Sequence, residues 1–325
     1  MRILAWHVHG SWMTSFVSGG HDYVIPLTPD RDADGRGRAQ TWDWPASARE
    51  VPVPGLRDEA FDVVVLQRPH EAGLVEQWTG LRVGVDVPAV YLEHNTPAET
   101  PVGTRHAVTR ESRLSGIPVV HVTYFNAMAW DCGDHEVFVV EHGIADPGYR
   151  YSGEDPSVAA VVNEPVRRWR VAGTDLLLRL ARHVPVHVYG MQTDALMGVA
   201  RERGVDLTGR THDLSQAELH TALGGHRAYL HPYRWTSLGL AMLEAMALGL
   251  PVLALSTTEA PEAVPPGAGV ISNDLSRLHA AAQEWLDDPA AARRHGAAAR
   301  AHVLSRYSLD RFLDSWDRVL KEVTS

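Results

Sequence analysis

The chain has 325 residues, 45% of them apolar, with 40 acidic side chains against 30 Lys and Arg and a net charge of −10. A single core tends to split beyond ~250–300 residues, so the length suits two globular domains and the apolar share is too high for disorder. The acidic balance argues against nucleic acid as a partner. The lone Cys132 excludes an intrachain disulfide, and no apolar run approaches the ~20 residues of a membrane span.

The N-terminus, MRILAWHVHGSW, lacks the apolar stretch of a secretory leader and reads as a first strand, so a cytoplasmic protein with no transmembrane segment is expected. Further strands are expected at 61–66, 89–93, 119–123 and 137–141 in the first half. The second half repeats the pattern at 158–162, 186–189, 227–230, 252–255 and 269–271. These runs of Val, Ile and Leu show little polar alternation, as in strands covered on both faces, and helical stretches alternate with them. Two sets of parallel strands wound with crossover helices follow. Between Leu27 and Val51 lies a polar stretch read as a loop. A Pro-, Gly- and Asp-rich seam spans 144–157, and the tail over 290–321 is helical.

Most of the chemistry falls in the second half. In HPYRWTSLGLAMLEAMALGLPVLA a strand leads through a loop into a helix expected from about Ser237 to Leu248, with Thr236 or Ser237 as its N-cap and Gly249 at its C-terminal end. The N–H groups opening that helix suit a diphosphate. Glu244 stands among Met242, Leu243, Met246 and Ala247, where a carboxylate is costly unless donors reach it, and ribose hydroxyls are such donors. Upstream, VVNEPVRRWRVAGTD follows a strand and carries Arg167, Arg168 and Arg170. A guanidinium grips phosphate bidentately and stays charged.

The segment LGLAMLEAMALGLPVLA, followed by TTEAPEAV and GAGVIS, resembles the signature of the retaining GT-B glycosyltransferases of family 4, also called group 1. The likeness runs from about Val158 to the C-terminus and implies an α/β fold of two Rossmann-like doubly wound domains facing across a cleft. On that reading residues 1–150 form an acceptor-side domain and 151–305 a nucleotide-sugar-binding domain. Residues 306–325 form a last helix crossing back, with Phe312, Trp316 and Leu320 as its packing stripe. The resemblance places Glu244 on the nucleotide ribose, Arg168 and Arg170 on the diphosphate, and Ser237, Leu238 and Gly239 at the family's Gly-Phe-Gly turn. The family's first Glu falls on Thr236, which offers a hydroxyl where relatives offer a charge.

In the first half the likeness is weaker. Gly10 and Ser11 fall where the family has a glycine loop lining the cleft, and Gly10 is expected to let a ligand approach the backbone. His94, in YLEHNTP, falls where relatives place a histidine on the donor sugar. His121 and His142 are read as structural, and Gln67 and Arg68 as able to reach the acceptor. Asp30, Asp32 and Asp34 with Gly35 imitate the start of a calcium loop, but Thr41 stands where its glutamate would be. The expected function is therefore transfer of a sugar from a nucleotide-diphosphate sugar to an unknown acceptor hydroxyl. Retention, catalytic roles for His94 and Thr236, no metal, and no cofactor beyond the donor co-substrate complete it. The alternatives are a non-catalytic GT-B subunit that binds a partner or glycan, and a nucleotide-sugar epimerase.

Overall fold

The computed structural model describes residues 1–98, 100 and 103–325. It divides into two compact units, one made of Met1–Gly143 with Leu309–Ser325, the other of Ile144–Ser308. Each is built on one parallel sheet.

The first sheet has β1 (Arg2–Ala5), β2 (Asp22–Leu27), β3 (Ala48–Pro52), β4 (Val63–Leu66), β5 (Ala89–Glu93), β6 (Val119–His121) and β7 (Val137–Val139), in the order β3-β2-β1-β4-β5-β6-β7. Its helices are α1 (Gly10–Phe16), α2 (Glu71–Thr79) and α3 (Tyr124–Ala129). Strand β4 shows why VVVL needs no polar alternation. Val63 and Val65 enter a core with Ile3, Ala5, Val90 and Leu92 on one face. Val64 and Leu66 enter a second core with Leu4, Val24 and Tyr91 on the other. Each such side chain, fully buried, contributes about 1.5–3 kcal/mol.

Two strands of this sheet escaped the sequence reading. Pro26 makes DYVIPL look like a broken strand, yet β1 pairs only with Asp22–Val24, so the missing N–H falls beyond the β1 ladder. The end of the supposed 27–51 loop is the edge strand β3, whose AREVP sequence has too few apolar residues to show a period.

The second sheet has β8 (Asp155–Val161), β9 (Val186–Tyr189), β10 (Thr211–His212), β11 (His226–His231), β12 (Val252–Ala254) and β13 (Gly269–Ile271), in the order β10-β9-β8-β11-β12-β13. Its helices are α4 (Thr174–Leu180), α5 (Asp194–Glu202), α6 (Gln216–Gly225), α7 (Leu240–Leu248), α8 (Ala260–Ala263), α9 (Leu275–Asp287) and α10 (Pro289–Arg306). Helix α7 is the most enclosed, with Met242, Leu243 and every residue from Ala245 to Leu248 buried. It begins three residues later than expected. Gly239 is its N-cap, without a side-chain cap bond, so neither Thr236 nor Ser237 caps it. Gly249 ends it in the left-handed conformation, φ 101°.

The chain ends in α11 (Leu309–Val323), within the first unit. Phe312, Trp316 and Leu320 are buried there, and the Trp316 ring meets Trp12 at 5.6 Å and Phe16 at 5.0 Å, edge to face. Edge-to-face pairs add ~0.5–1.5 kcal/mol beyond their buried area.

Candidate functional site

In an open parallel sheet, ligands collect beyond the carboxyl ends of the strands where the winding reverses. The second sheet reverses between β8 and β11. The loop after β8 carries the arginine cluster, and the loop after β11 runs through Tyr233 and Arg234 to the start of α7. The two loops are tied together. Arg234 reaches both carboxylate oxygens of Asp175 at 2.6 and 2.8 Å, and its N–H donates to the Val171 carbonyl at 2.9 Å. Burial disfavours the charged form of Asp175, but the Arg234 hydrogen bond and charge, with the Arg170 charge, outweigh it and hold the carboxyl below its ordinary range. Gly173, at φ +70°, closes the loop so tightly that a Cβ would overlap the Pro232 carbonyl oxygen.

The three arginines part company. Arg167 pairs with Glu164, and Arg170, 70% exposed, pairs with Asp175 at 3.0 Å. Arg168 makes no salt bridge among the described residues; its guanidinium lies over the Tyr233 ring, 5.5 Å from the centroid. That leaves Arg168 as the cation available to an anion, whereas Arg170 is engaged by an acid and points to solvent. Thr236 is half-buried, while Ser237 and Leu238 are buried in the loop before Gly239. Leu240 and Ala241 open α7 with N–H groups that no carbonyl inside the helix can receive.

Glu244 departs from the expectation of a carboxylate waiting for a ligand. It is 14% exposed, and α6 satisfies it: Gln216 Nε2 donates to Oε1 at 3.0 Å, and His220 Nε2 lies 3.2 Å from Oε2. Each oxygen keeps a second lone pair for a hydroxyl donor. Gln216 and His220 went unnoticed in the sequence, although their i,i+4 spacing in QAELH places them on one helix face.

The first sheet reverses between β1 and β4. Gly10 and Ser11 begin α1 just after β1, with Ser11 exposed. The space where a Cβ on Gly10 would stand is taken by the Trp42 indole, so the glycine serves internal packing. His94 follows β5. Its Nε2 lies 2.9 Å from Gln67 Oε1 and its ring 4.1 Å from the His9 ring. Burial, then the neighbouring His9 and His142, push the His94 pKa well below its ordinary value. Burial likewise brings His142 down to about 4.

Gln67 and Arg68 do not present themselves to an acceptor. Both ends of the Gln67 amide are bound internally, and Arg68 bonds Glu71, Asp34 and the Ala33 carbonyl. The Asp30–Asp34 loop is held by its own bonds: Asp32 Oδ1 accepts from the N–H of Asp34 and Gly35, and Asp34 meets Arg68 and His70. His121 is fully buried beside Cys132. Among the described residues no group of three or more His, Cys, Asp or Glu is arranged to hold a metal, and no helix is long and apolar enough to cross a membrane.

Residues 169–288, from the arginine loop through α9, match the family model described as Glycosyl transferases group 1. A stretch of 73 residues is 42% identical to the GDP-mannose-dependent monoacylated alpha-(1-6)-phosphatidylinositol monomannoside mannosyltransferase of Corynebacterium glutamicum, covering 22% of this chain and 19% of that protein. Another, of 122 residues, is 35% identical to the glycogen synthase of Mycobacterium tuberculosis, covering 36% of this chain and 30% of that protein. The matches thus span less than a third of either curated relative. Among solved structures, sucrose-phosphate synthase from Thermosynechococcus elongatus superposes with a TM-score of 0.73 over 99% of both chains, at 14% identity. HepE of Anabaena, solved in complex with UDP-glucose, gives 0.73 and 14% over 99% of this chain and 100% of that one. At such identity the structural likeness speaks for the fold. The two parallel Rossmann-like sheets give the chain the GT-B fold, and the segment 169–288 within it resembles the Glycosyl transferases group 1 model.

Proposed function

We propose that the chain transfers a sugar from a nucleotide-diphosphate sugar to an acceptor hydroxyl, with retention at the anomeric carbon, in the cytoplasm. The observation that carries this reading is the switch point of the second sheet, where Arg168, which makes no salt bridge among the described residues, and the opening of α7 lie on two loops within or beside the segment matching the group 1 model. Both are suited to a diphosphate. Two relatives point to the same donor class: one is named GDP-mannose-dependent and another was solved with UDP-glucose. In the reaction the bond between the anomeric carbon and the diphosphate oxygen breaks as the acceptor oxygen bonds to that carbon. The acceptor's proton passes to the departing phosphate. Thr236 contributes a hydroxyl near the sugar, and Glu244 accepts from the ribose. A fixed cation and a helix N-terminus meet the developing charge, so no metal or other cofactor is required.

Calorimetry with UDP and GDP tests the donor site directly. Glu244→Ala should weaken the nucleoside diphosphate ten- to hundredfold, the ~1.5–3 kcal/mol of a charged hydrogen bond, with the melting temperature retained. An unchanged Kd would remove Glu244 from the site. Donor turnover should also survive EDTA; loss on chelation with rescue by manganese would overturn the metal-free reading.

A further inference from the structure

The half of the second sheet from β10 to β11 carries a polar seam on one face. His226, buried at the start of β11, meets Ser157 Oγ of β8 at 2.6 Å through Nδ1, and the Tyr189 hydroxyl of β9 at 2.7 Å through Nε2. His187 of β9 and His212 of β10 continue the seam to the sheet edge, with Nδ1 of the first 3.3 Å from Nε2 of the second. The two rings lie within 3° of parallel and their centres are 5.5 Å apart, the N–N distance plus two ring radii. The nitrogens therefore face each other along the line joining the rings. Strand β10 is slight: two residues at the edge, Thr211 beside Val188 and His212 beside Tyr189. The carbonyls of Arg210 and His212 accept from the N–H groups of Val188 and Gly190 at 2.8 and 2.9 Å. Residues 213–215 then lead into α6, whose Gln216 and His220 hold Glu244.

Two neutral imidazoles bond through these nitrogens because one carries a proton and the other a lone pair. One added proton preserves the bond, since the charged ring donates to the neutral one. That charge is met by Asp155, whose carboxylate lies 4.0 Å from His187 Nε2 and 3.4 Å from His226 Nδ1. A second added proton sets N–H against N–H and charge against charge. Burial lowers the His187 pKa from the ordinary 6.5; Asp155 opposes this, and the charges of His212 and Arg210 add to it. Burial, then His187, brings His226 down to about 4, so His226 stays neutral when the pair takes up protons.

We propose that His187 and His212 form an acid-operated latch on β10, closed while the pair holds at most one added proton and opened by the second, which frees the edge strand and the turn into α6. The latch rests on the geometry of the second unit. Its consequence for a nucleotide, that acid loosens the support of Glu244, rests on the transferase reading.

Hydrogen exchange in the full chain, corrected for the pH dependence of the intrinsic rate, tests this at the Val188 and Gly190 amides, with the β12 amides of the same sheet as reference. Between pH 7 and about pH 5 the wild type should lose about tenfold more protection at Val188 and Gly190 than in β12, the size of one hydrogen bond. His212→Gln keeps a group able to bond His187 but takes up no proton, and should abolish the difference; His187→Gln should do the same. Equal losses in β12 and at Val188 and Gly190 of the wild type would overturn the latch, as would the full tenfold loss persisting in both variants. Should neither variant fold, the 15N titration of the wild-type rings decides: protection lost at the first step of the pair instead of the second would overturn it. Calorimetry with UDP and GDP at the same two pH values should show a Kd that rises more with acid in the wild type than in His212→Gln. An opened latch with the same rise in both proteins would remove the link to Glu244. A wild type that binds neither nucleotide at pH 7 would sink the transferase reading, while the exchange still decides the latch.

Discussion

The two sheets reverse their winding in the same way, but they equip that point with opposite chemistry. Beyond β8 and β11 stand charges: Arg168 over Tyr233, Arg234 clasping Asp175, and Glu244 held by Gln216 and His220. Beyond β1, β4 and β5 the charges of Arg68, Glu71 and Asp34 are paired with one another, and His94 is bonded to Gln67 and packed against His9. A diphosphate must be met by cations, whereas sugar hydroxyls need lone pairs and N–H groups without net charge. On the transferase reading proposed above, one scaffold thus supplies two binding chemistries. What differs is the side chains its loops carry.

The largest expected effect tests whether buried neutrality belongs to both units. His121 in the first is held down to about pKa 3 by burial and the nearby His106, and His231 in the second to about 4 by burial alone. Both folded values lie below the ordinary 6.5, so the unfolded chain takes up protons first on acidification. Their contribution is complete above pH 6.5 and is lost as pH falls toward 4 for His231 and 3 for His121. At pH 4.5 each should cost about 2–3 kcal/mol. Urea titrations at pH 7 and 4.5, with hydrogen exchange resolving the two sheets, check this. Protection lost from one sheet only would break the parallel.

Next comes the tightness of the two loops. In Gly173→Ala a Cβ meets the Pro232 carbonyl at a left-handed backbone, and neither can yield easily. The expected loss is about 2–4 kcal/mol, from the unfavourable conformation plus overpacking. In Gly10→Ala the obstacle is the movable Trp42 ring, and alanine favours the helix, so the loss should be about 1 kcal/mol or less. Equal shifts in thermal or urea midpoints would show that the loops are alike after all.

The smallest effect sharpens the charged side. Arg168→Ala should weaken a nucleoside diphosphate about tenfold and a monophosphate less. Arg170→Ala, which loses an exposed ion pair, should change either by less than about twofold. Calorimetry giving the reverse order would move the phosphate to the outer edge of the loop.

Much of this protein was written in local pattern. The Val-rich runs announced strands buried on both faces, because burial on two sides removes the alternation that a one-sided strand needs. That reading missed three strands for physical reasons: in β2 Pro26 sits past the β1 register, β3 is a polar edge strand, and β10 is only two residues long. The LEAMA segment located α7 and Glu244, since a carboxylate inside an apolar helix demands an explanation. Partners are a different matter. That Gln216 and His220 would meet Glu244, that Asp175 would engage Arg170 and Arg234 and leave Arg168 to Tyr233, and that Trp42 would fill the space at Gly10 depends on residues far apart in the chain. Periodicity and motif report what a residue's near neighbours impose. Which hydrogen bonds a side chain makes, and so which charges remain for a ligand, is decided only when the sheets bring distant loops within 3 Å of each other.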